Sequence, residues 1–399
     1  MFSLFLKRFW QPPRAHGEVI EDRTVSFLEL FYDLVYVVVI AQAAHELAVH
    51  LTWRGVGEFA TVFGLIWLAW LNGTTYHDLH GREDGRTRTY VFLQMLMLAL
   101  LAVFTADAGG DGGRGFAIVY TVFLLLLFWM WYTVRRQDSA EYMRLTGQYL
   151  SGLAVSVVYM AGSAFLPDGV RTVSWAVFMV AWIGGWVSIE RLARRQPDIA
   201  FEVTDSLVER FGLFTIIVLG EVVVGVVSGL SEVERTVEAV ATGMIGLGIG
   251  FGIWWTYFDY VGGRRPRPGP SGWMVSHLPI TMAIAASGAA MIGLIEHAAD
   301  DRAPAAAAWL LGGSVAVALV SLIAAMRELR DFERLPSVYR PLIPTMIGAA
   351  VVSLLVAWWR PAPWLLVLLV VAALSAVWWV AVDRWLRLED PGSIRPDAA

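Results

Sequence analysis

The chain has 399 residues, of which 57% are hydrophobic and only 16% are charged, with a formal net charge of −5. A soluble domain carries about 25% charged residues, so the composition indicates that water is not the main solvent of this protein, and no nucleic-acid partner is expected. Cysteine is absent and Lys7 is the one lysine, which excludes disulfides, thiolate nucleophiles, a retinal-type Schiff base and a P-loop in the body of the chain.

Apolar runs of about 20 residues recur along most of the chain, and runs of this length predict transmembrane helices. We expect an all-α integral membrane protein with short connections, no large soluble domain, and tails at residues 1–24 and 386–399. The twelve predicted transmembrane helices cover residues 25–47, 56–75, 89–106, 115–134, 147–166, 171–190, 209–230, 237–257, 275–298, 304–325, 341–359 and 362–383.

The positions of the 30 Lys and Arg residues orient these spans. If the N-terminus is inside, 24 of them fall in inside segments and the other six are distributed one to each outside loop. The six are Arg54, Arg114, Arg171, Arg235, Arg302 and Arg360. Cytoplasmic loops of membrane proteins carry such an excess, and omitting one span would reverse every later loop. The pattern therefore predicts twelve spans with both termini cytoplasmic.

The first span contains two carboxylates, Glu29 and Asp33, which are four residues apart and therefore lie on one helical face. An ionisable group inside a span costs a few kcal/mol and is a functional candidate by default. By helical rise Asp33 lies about 12 Å into the membrane, and the sequence offers it no evident partner. We expect Asp33 to be functional, whereas Glu29 near the inner interface suits either structural pairing or function.

Two short motifs recur with nearly the same offset along the chain. SFLELF at residues 26–31 matches SLVERF at 206–211, and Tyr-His-Asp at 76–78 matches Tyr-Phe-Asp at 257–259. These matches predict two related halves, residues 25–195 and 196–385, each with six spans. Because six is even, the halves are expected to run parallel, related by an axis along the membrane normal.

Further ionisable residues fall in the cytoplasmic half of the predicted spans. In the seventh span Glu209 is near the inner interface, whereas Glu221 is near the midplane, where burying a carboxylate is most costly. The inner ends of other spans add His77, Asp78, Asp259 and His277. Together with Glu29 and Asp33, these residues form either a proton or cation path or structural pairs with Arg23, Arg82, Arg210 and Arg264. For Glu221, as for Asp33, we favour function.

Other chemistry is not indicated by the sequence. His77, Asp78, His80 and Glu83 have a spacing that fits no standard metal site, so neither a metal ligand nor a catalytic residue is predicted, and no cofactor is expected. The eighth span contains the pairs Gly246/Gly250 and Gly248/Gly252, which predict close approach of neighbouring helices.

Three segments carry a resemblance to a known family. FLELFYDLVYVVVIAQAAHEL, ERFGLFTIIVLGEVVVGVV and SHLPITMAI resemble the bacterial low temperature requirement A family, whose members are polytopic membrane proteins linked by name to growth in the cold. The resemblance implies a bacterial inner-membrane location. The family pattern falls on Glu29, Phe31, Asp33, Glu209, Arg210, Phe211, Gly220, Glu221 and His277, and Tyr32 departs from it where Phe is usual.

A more distant similarity is to potassium channels that are built from two six-helix repeats. Their first helix carries an arginine and a Phe-Ser-Asp motif, and here Arg23 precedes Phe31, Tyr32 and Asp33 with a longer gap and Tyr in place of Ser. The leading hypothesis is an ion- or proton-coupled transporter or channel, with membrane lipid and a small ion or solute as partners. The alternatives are a non-transporting assembly factor or sensor in cold adaptation and, third, a membrane-embedded enzyme.

Overall fold

The computed structural model describes residues 9–16, 18, 23–193 and 203–386. These residues form thirteen helices and no strand, so the predicted all-α class is confirmed; Pro266 and Leu329 form an isolated bridge. The helices are α1 (Phe27–Val49), α2 (Trp53–His80), α3 (Gly85–Thr105), α4 (Gly113–Arg135), α5 (Ala140–Ser163), α6 (Asp168–Ala193), α7 (Asp205–Glu232), α8 (Val237–Tyr260), α9 (Ser271–Glu296), α10 (Ala305–Arg327), α11 (Asp331–Arg334), α12 (Pro336–Trp359) and α13 (Pro363–Leu386).

In the described part of the chain, eleven helices are long and apolar enough to cross a membrane, which makes this a multi-pass helical membrane protein. Each of the twelve predicted spans coincides with a long helix. Of these twelve long helices, α5 is not among the eleven, and it begins with the polar sequence AEYMRLTGQY. Of the two predicted tails, residues 1–8, 17, 19–22 and 387–399 lie outside the described residues.

Helix α1 starts at a reciprocal cap that includes one of the predicted site residues. The backbone N–H of Ser26 donates to Glu29 Oε2 at 2.9 Å, and the backbone N–H of Glu29 donates to Ser26 Oγ at 3.3 Å. This is the capping-box arrangement, in which each side chain satisfies a backbone donor that the helix start leaves free. The helix start therefore fixes the position of the Glu29 carboxylate.

One compact unit of the chain contains the described residues of 1–46, 57–182 and 204–210. Helix α2 is its central element, since 78% of the apolar stretch of this helix is buried. Helix α3 packs on α4, and α4 packs on α5. Two tyrosines tie these helices to α2: Tyr120 donates to the Leu65 carbonyl at 2.8 Å, and Tyr149 donates to the Asn72 side chain.

The other compact unit contains the described residues of 47–56, 183–203 and 211–399. Five of its helices form a closed ring, because α8 packs on α9, α9 on α10, α10 on α12, α12 on α13, and α13 on α8. Helix α7 approaches α8 where Gly243 faces Leu230, and α9 where Gly225 faces Gly288. The ring places α9 in a largely buried position, with 83% of its apolar stretch covered.

Glycine determines how closely the helices of this second unit approach each other. The predicted pairs of α8 receive side chains rather than a neighbouring backbone: Gly246 faces Met291, and Gly252 faces Leu374. The closest backbone contact lies between α7 and α9, where a Cβ on Gly225 would stand 2.1 Å from the Gly288 carbonyl oxygen. At this crossing neither helix has room for a side chain.

Candidate functional site

Asp33 in α1 is completely buried and is held by a guanidinium from α7. Arg210 Nη2 lies 2.5 Å from Asp33 Oδ1, and Arg210 Nε lies 3.2 Å from Oδ2, so the contact is bidentate. Trp70 in α2 donates its indole N–H to Oδ1 at 2.9 Å. Both charged side chains are inaccessible to solvent. The partner that the sequence did not reveal for Asp33 is therefore Arg210.

Glu29 lies beside the same guanidinium but pairs mainly with a second arginine. Arg23 Nη2 approaches Glu29 Oε1 at 2.6 Å, whereas Arg210 Nη1 is 3.7 Å from that oxygen. Among the described residues, Arg210 Nη1 has no hydrogen-bond partner although it is buried. Arg210 thus stands between the two carboxylates of α1, with one of its donors left over.

Asp78, at the end of α2, completes the arrangement. Its carboxylate accepts from Arg23 Nη1 at 2.7 Å, from Ser206 Oγ at 2.8 Å and from Thr204 Oγ1 at 2.7 Å. Ser206 and Thr204 belong to the first turn of α7 and the residue before it. Arg23 consequently bridges Glu29 and Asp78, the two acidic side chains that lie nearest the ends of their helices.

Arg14 adds a third buried cation at the same end of α2. Its Nε donates to the Gly81 carbonyl at 2.8 Å, and its Nη2 donates to the Asp78 carbonyl. Burial and the charge of Arg23 lower the pKa of the Arg14 guanidinium from its usual range. A cation here complements the partial negative charge at a helix C-terminus.

We call these six residues the charge cluster: Arg14, Arg23, Glu29, Asp33, Asp78 and Arg210. Arg23 and Arg210 form ion pairs with the three carboxylates, whereas Arg14 binds backbone carbonyls, so the formal charges of these six residues balance. Buried ion pairs lose much of their mutual attraction to desolvation and are weak evidence for stability as such. The cluster therefore satisfies its own charges and needs no additional counter-ion.

A cleft of about 600 Å³ opens onto the charge cluster, within the roughly 300–1,000 Å³ typical of sites for small ligands. Its polar lining includes Arg23, Ser26, Glu29, His77 and Arg88, with exposed Phe27 at its border. Glu29 and His77 thus lie at the wall of the cleft, although only 5% and 1% of these residues is exposed, whereas Asp33 is covered completely.

His77 is buried beside the cluster and is only partly satisfied. Its Nε2 lies 3.0 Å from Gln94 Oε1, while Nδ1 and the nearby Thr74 Oγ1 have no hydrogen-bond partner in the described part of the chain. The Tyr32 ring lies 5.8 Å from the His77 ring and also 5.8 Å from the Arg210 guanidinium carbon. These groups form a polar interior between α1 and α2.

Glu221, in the second unit, has no such partners. It lies midway along α7, only 3% of the residue is exposed, and its Oε1 is buried without a hydrogen bond. Among the described residues no ion pair or hydrogen bond reaches its carboxyl group. Glu221 is therefore a buried acid without compensation, in contrast to the three paired acids of the charge cluster.

The other predicted residues of the second unit do not assemble into a comparable cluster. His277 is buried, with Nε2 2.9 Å from the Tyr257 hydroxyl and Nδ1 2.8 Å from the Trp273 carbonyl. Asp259 is exposed, and its backbone carbonyl accepts from Arg264. Glu209, in the other unit, is exposed as well. The structure thus brings together Glu29, Asp33, His77 and Asp78 within one unit, whereas Glu221, Asp259 and His277 belong to the other unit.

Sequence reasoning named Arg23 and Arg210 without assigning them to Glu29, Asp33 or Asp78, and it did not identify Arg14, Trp70 or Tyr32 as neighbours of these acids. The available signal was the requirement that buried carboxylates be compensated. The motif ERF at residues 209–211 placed an arginine inside a predicted span. An arginine inside a span likewise requires a partner of opposite charge.

Comparison with known proteins shows that this chain matches a protein family. The family described as bacterial low temperature requirement A protein (LtrA) matches residues 24–374, which is most of the chain. The chain belongs to the LtrA family. The LtrA match includes Glu29, Asp33, Arg210 and Glu221 but begins one residue after Arg23.

A curated relative extends this comparison. The chain is 27% identical over 253 residues to an uncharacterized protein of Rhizobium meliloti (strain 1021), and the alignment covers 60% of this chain and 60% of that relative. No solved structure matches the chain at a significant level. The LtrA family assignment therefore supplies membership and a bacterial membrane setting, and the chemistry has to be argued from the site.

Changing Ser26 to alanine is expected to lower stability moderately. The change removes the Oγ acceptor at the start of α1 and one donor to Glu29, and loss of such a cap costs about 1 kcal/mol. Thermal unfolding of the detergent-purified protein should show a lower midpoint. Ser151→Ala on the exposed side of α5 is the matched control, and an equal shift in both variants would contradict the capping role.

Proposed function

We propose that this protein is an ion-coupled transporter or channel of the bacterial inner membrane and does not act as an enzyme. In this proposal the twelve long helices are twelve spans arranged as two parallel halves, with both termini cytoplasmic. The asymmetric distribution of arginine and the recurrence of the motifs at residues 26–31 and 206–211 support this topology.

The observation that carries the proposal is the unpaired carboxyl group of Glu221. A carboxyl used for structure is compensated by a cation or by hydrogen bonds, as Asp33 is by Arg210 and Trp70. Glu221 makes neither kind of contact with the described residues, although it lies in an apolar span where such a group costs several kcal/mol. A group retained at that cost suits the reversible binding of an ion.

The charge cluster has a supporting role in this proposal. Glu29 and His77 line the cleft, and in this proposal the cleft is an inner vestibule. Asp33 already forms an ion pair with Arg210. We therefore assign Asp33 to anchoring α1 on α7 rather than to direct binding of the transported ion. Glu221 then remains as the principal ion-binding carboxyl group.

Replacing Glu221 with glutamine is expected to abolish ion flux in proteoliposomes, because the amide keeps the size of the side chain but cannot carry the charge. Flux should fall to that of empty liposomes, while Glu232→Gln at the exposed end of the same helix keeps wild-type flux. Folded yield of the three proteins should be compared by size-exclusion chromatography. Equal flux in wild type and Glu221→Gln would refute the proposal.

A second candidate is a non-transporting assembly factor or sensor, and the charge balance of the cluster favours it. Arg23 and Arg210 pair with Glu29, Asp78 and Asp33, and these contacts form a rigid connection that requires no ion. In that case neutralising Asp33 should lower folded yield, and no Glu221-dependent flux of any ion should exist. The flux measurement with Glu221→Gln therefore separates the two functions.

A further inference from the structure

The surroundings of Glu221 are unusually free of charge for a buried carboxyl group. Its backbone is in contact with Gly288 of α9, and the next residue, Val222, faces Gly250 of α8. On α9 the nearest charged residue or histidine is Glu296, eight residues beyond Gly288, or about 12 Å by helical rise. His277 lies farther away in the other direction.

Helices α8 and α7 also place no charged residue close to Glu221. On α8 the charged residue nearest Gly250 is Asp259, nine residues away, or about 13 Å. In residues 211–232 of α7 the other charged residue is Glu232, about 16 Å along the helix from Glu221. No ion pair or hydrogen bond joins the Glu221 carboxyl group to another described residue. Along α7, α8 and α9, Glu221 thus has neither a counter-ion nor a like charge near it.

Metal cations need more oxygen ligands than this environment supplies. Transporter sites for sodium commonly use backbone carbonyls that an interrupted helix leaves free, but α7 is continuous through Glu221 and α9 is continuous through Gly288. Pro279 in α9 frees the carbonyl of Val275, which is thirteen residues from Gly288 and about 20 Å away. Within the described ranges no group of three His, Asp or Glu side chains is placed to hold a metal ion.

We infer that the ion which Glu221 takes up and releases is a proton rather than a metal cation. The inference deepens the proposed function and rests on it for its role in transport. In the step itself the carboxylate gains one proton and becomes a neutral carboxylic acid; release restores the carboxylate and returns the proton to water. The neutral acid removes the cost of a charge in an apolar span, and it requires no cage of oxygen ligands.

The inference is tested by infrared difference spectroscopy on the full-length protein in lipid nanodiscs during a pH titration. Wild type should show the carbonyl stretch of a protonated carboxylic acid that is lost on raising the pH, and Glu221→Gln should lack this band. Glu232→Gln, with the same chemical change at an exposed position of α7, should keep it. Adding sodium or potassium at constant pH should leave the band unchanged.

Two outcomes would overturn the inference. One is a titrating band that is identical in wild type and Glu221→Gln, and the other is a Glu221-dependent band that sodium or potassium removes at constant pH, which would make Glu221 a metal-cation site. Flux in proteoliposomes is recorded separately with a pH-sensitive dye. Absence of flux together with a Glu221 band would refute the transport proposal while proton binding stands, so the two failures are distinguishable.

Discussion

Replacing Arg210 with methionine is expected to reduce stability more than any other single change in the charge cluster. The guanidinium makes two contacts with Asp33 and lies 3.7 Å from Glu29, and its side chain is completely buried. Removing one partner of such a pair leaves an uncompensated buried charge and costs about 3–5 kcal/mol. Thermal unfolding in detergent and the monodisperse fraction on size-exclusion chromatography measure the effect.

The double variant Asp33→Leu with Arg210→Met tests whether the loss of stability comes from the unpaired Asp33 carboxylate. Replacing a whole buried ion pair by apolar side chains of similar volume is often neutral or stabilising, so the double variant should recover most of the loss. Arg235→Met, in the exposed loop after α7, is the control and should change little. A double variant as unstable as Arg210→Met alone would contradict the pairing argument.

The pairing of Asp33 also shows the limit of prediction from this sequence. Hydropathy placed Asp33 inside the first span, and the cost of a buried charge made it a candidate. Its partner is 177 residues away along the chain, and a cost argument states that compensation is required without stating which residue supplies it. From the sequence alone, several arginines were equally possible partners of Asp33.

The two copies of the internal repeat share sequence but differ in local structure. Glu29 and Glu209 occupy equivalent positions of the two motifs, yet Glu29 is buried and Glu209 is exposed. The helix starts differ as well: α1 begins after Ser26, whereas α7 begins before Ser206. Ser26 therefore caps its helix, while Ser206 lies inside its helix and binds Asp78.

The helices themselves were largely predictable, because an apolar run long enough to cross a membrane has few alternatives to a helix. The contacts of the glycines were less predictable. Small residues four apart in α8 indicated close packing, but whether a neighbouring side chain or backbone fills the space depends on the crossing of two helices. Gly225 and Gly288 belong to different helices, so their contact leaves no pattern in either segment.

Replacing Gly288 with alanine is expected to force α7 and α9 apart at the level of Glu221. The new Cβ would lie 2.3 Å from the Glu221 carbonyl oxygen and 2.7 Å from its carbonyl carbon, and backbone atoms of a continuous helix cannot yield as a flexible side chain can. Overpacking of this kind costs about 1–3 kcal/mol, and the upper end is expected here. The thermal unfolding midpoint of the detergent-purified variant measures the loss.

Gly313→Ala in α10 is the matched control, because no atom lies within 4 Å of the Cβ that it would add. Alanine is favoured over glycine in a helix interior by about 0.5–1 kcal/mol, so this variant should be as stable as wild type or slightly more stable. The same clash occurs when Gly225 is replaced by alanine, which meets the Gly288 carbonyl from the opposite helix. If the Gly288 and Gly225 variants unfold at the wild-type temperature, the two backbones are not in contact at Glu221.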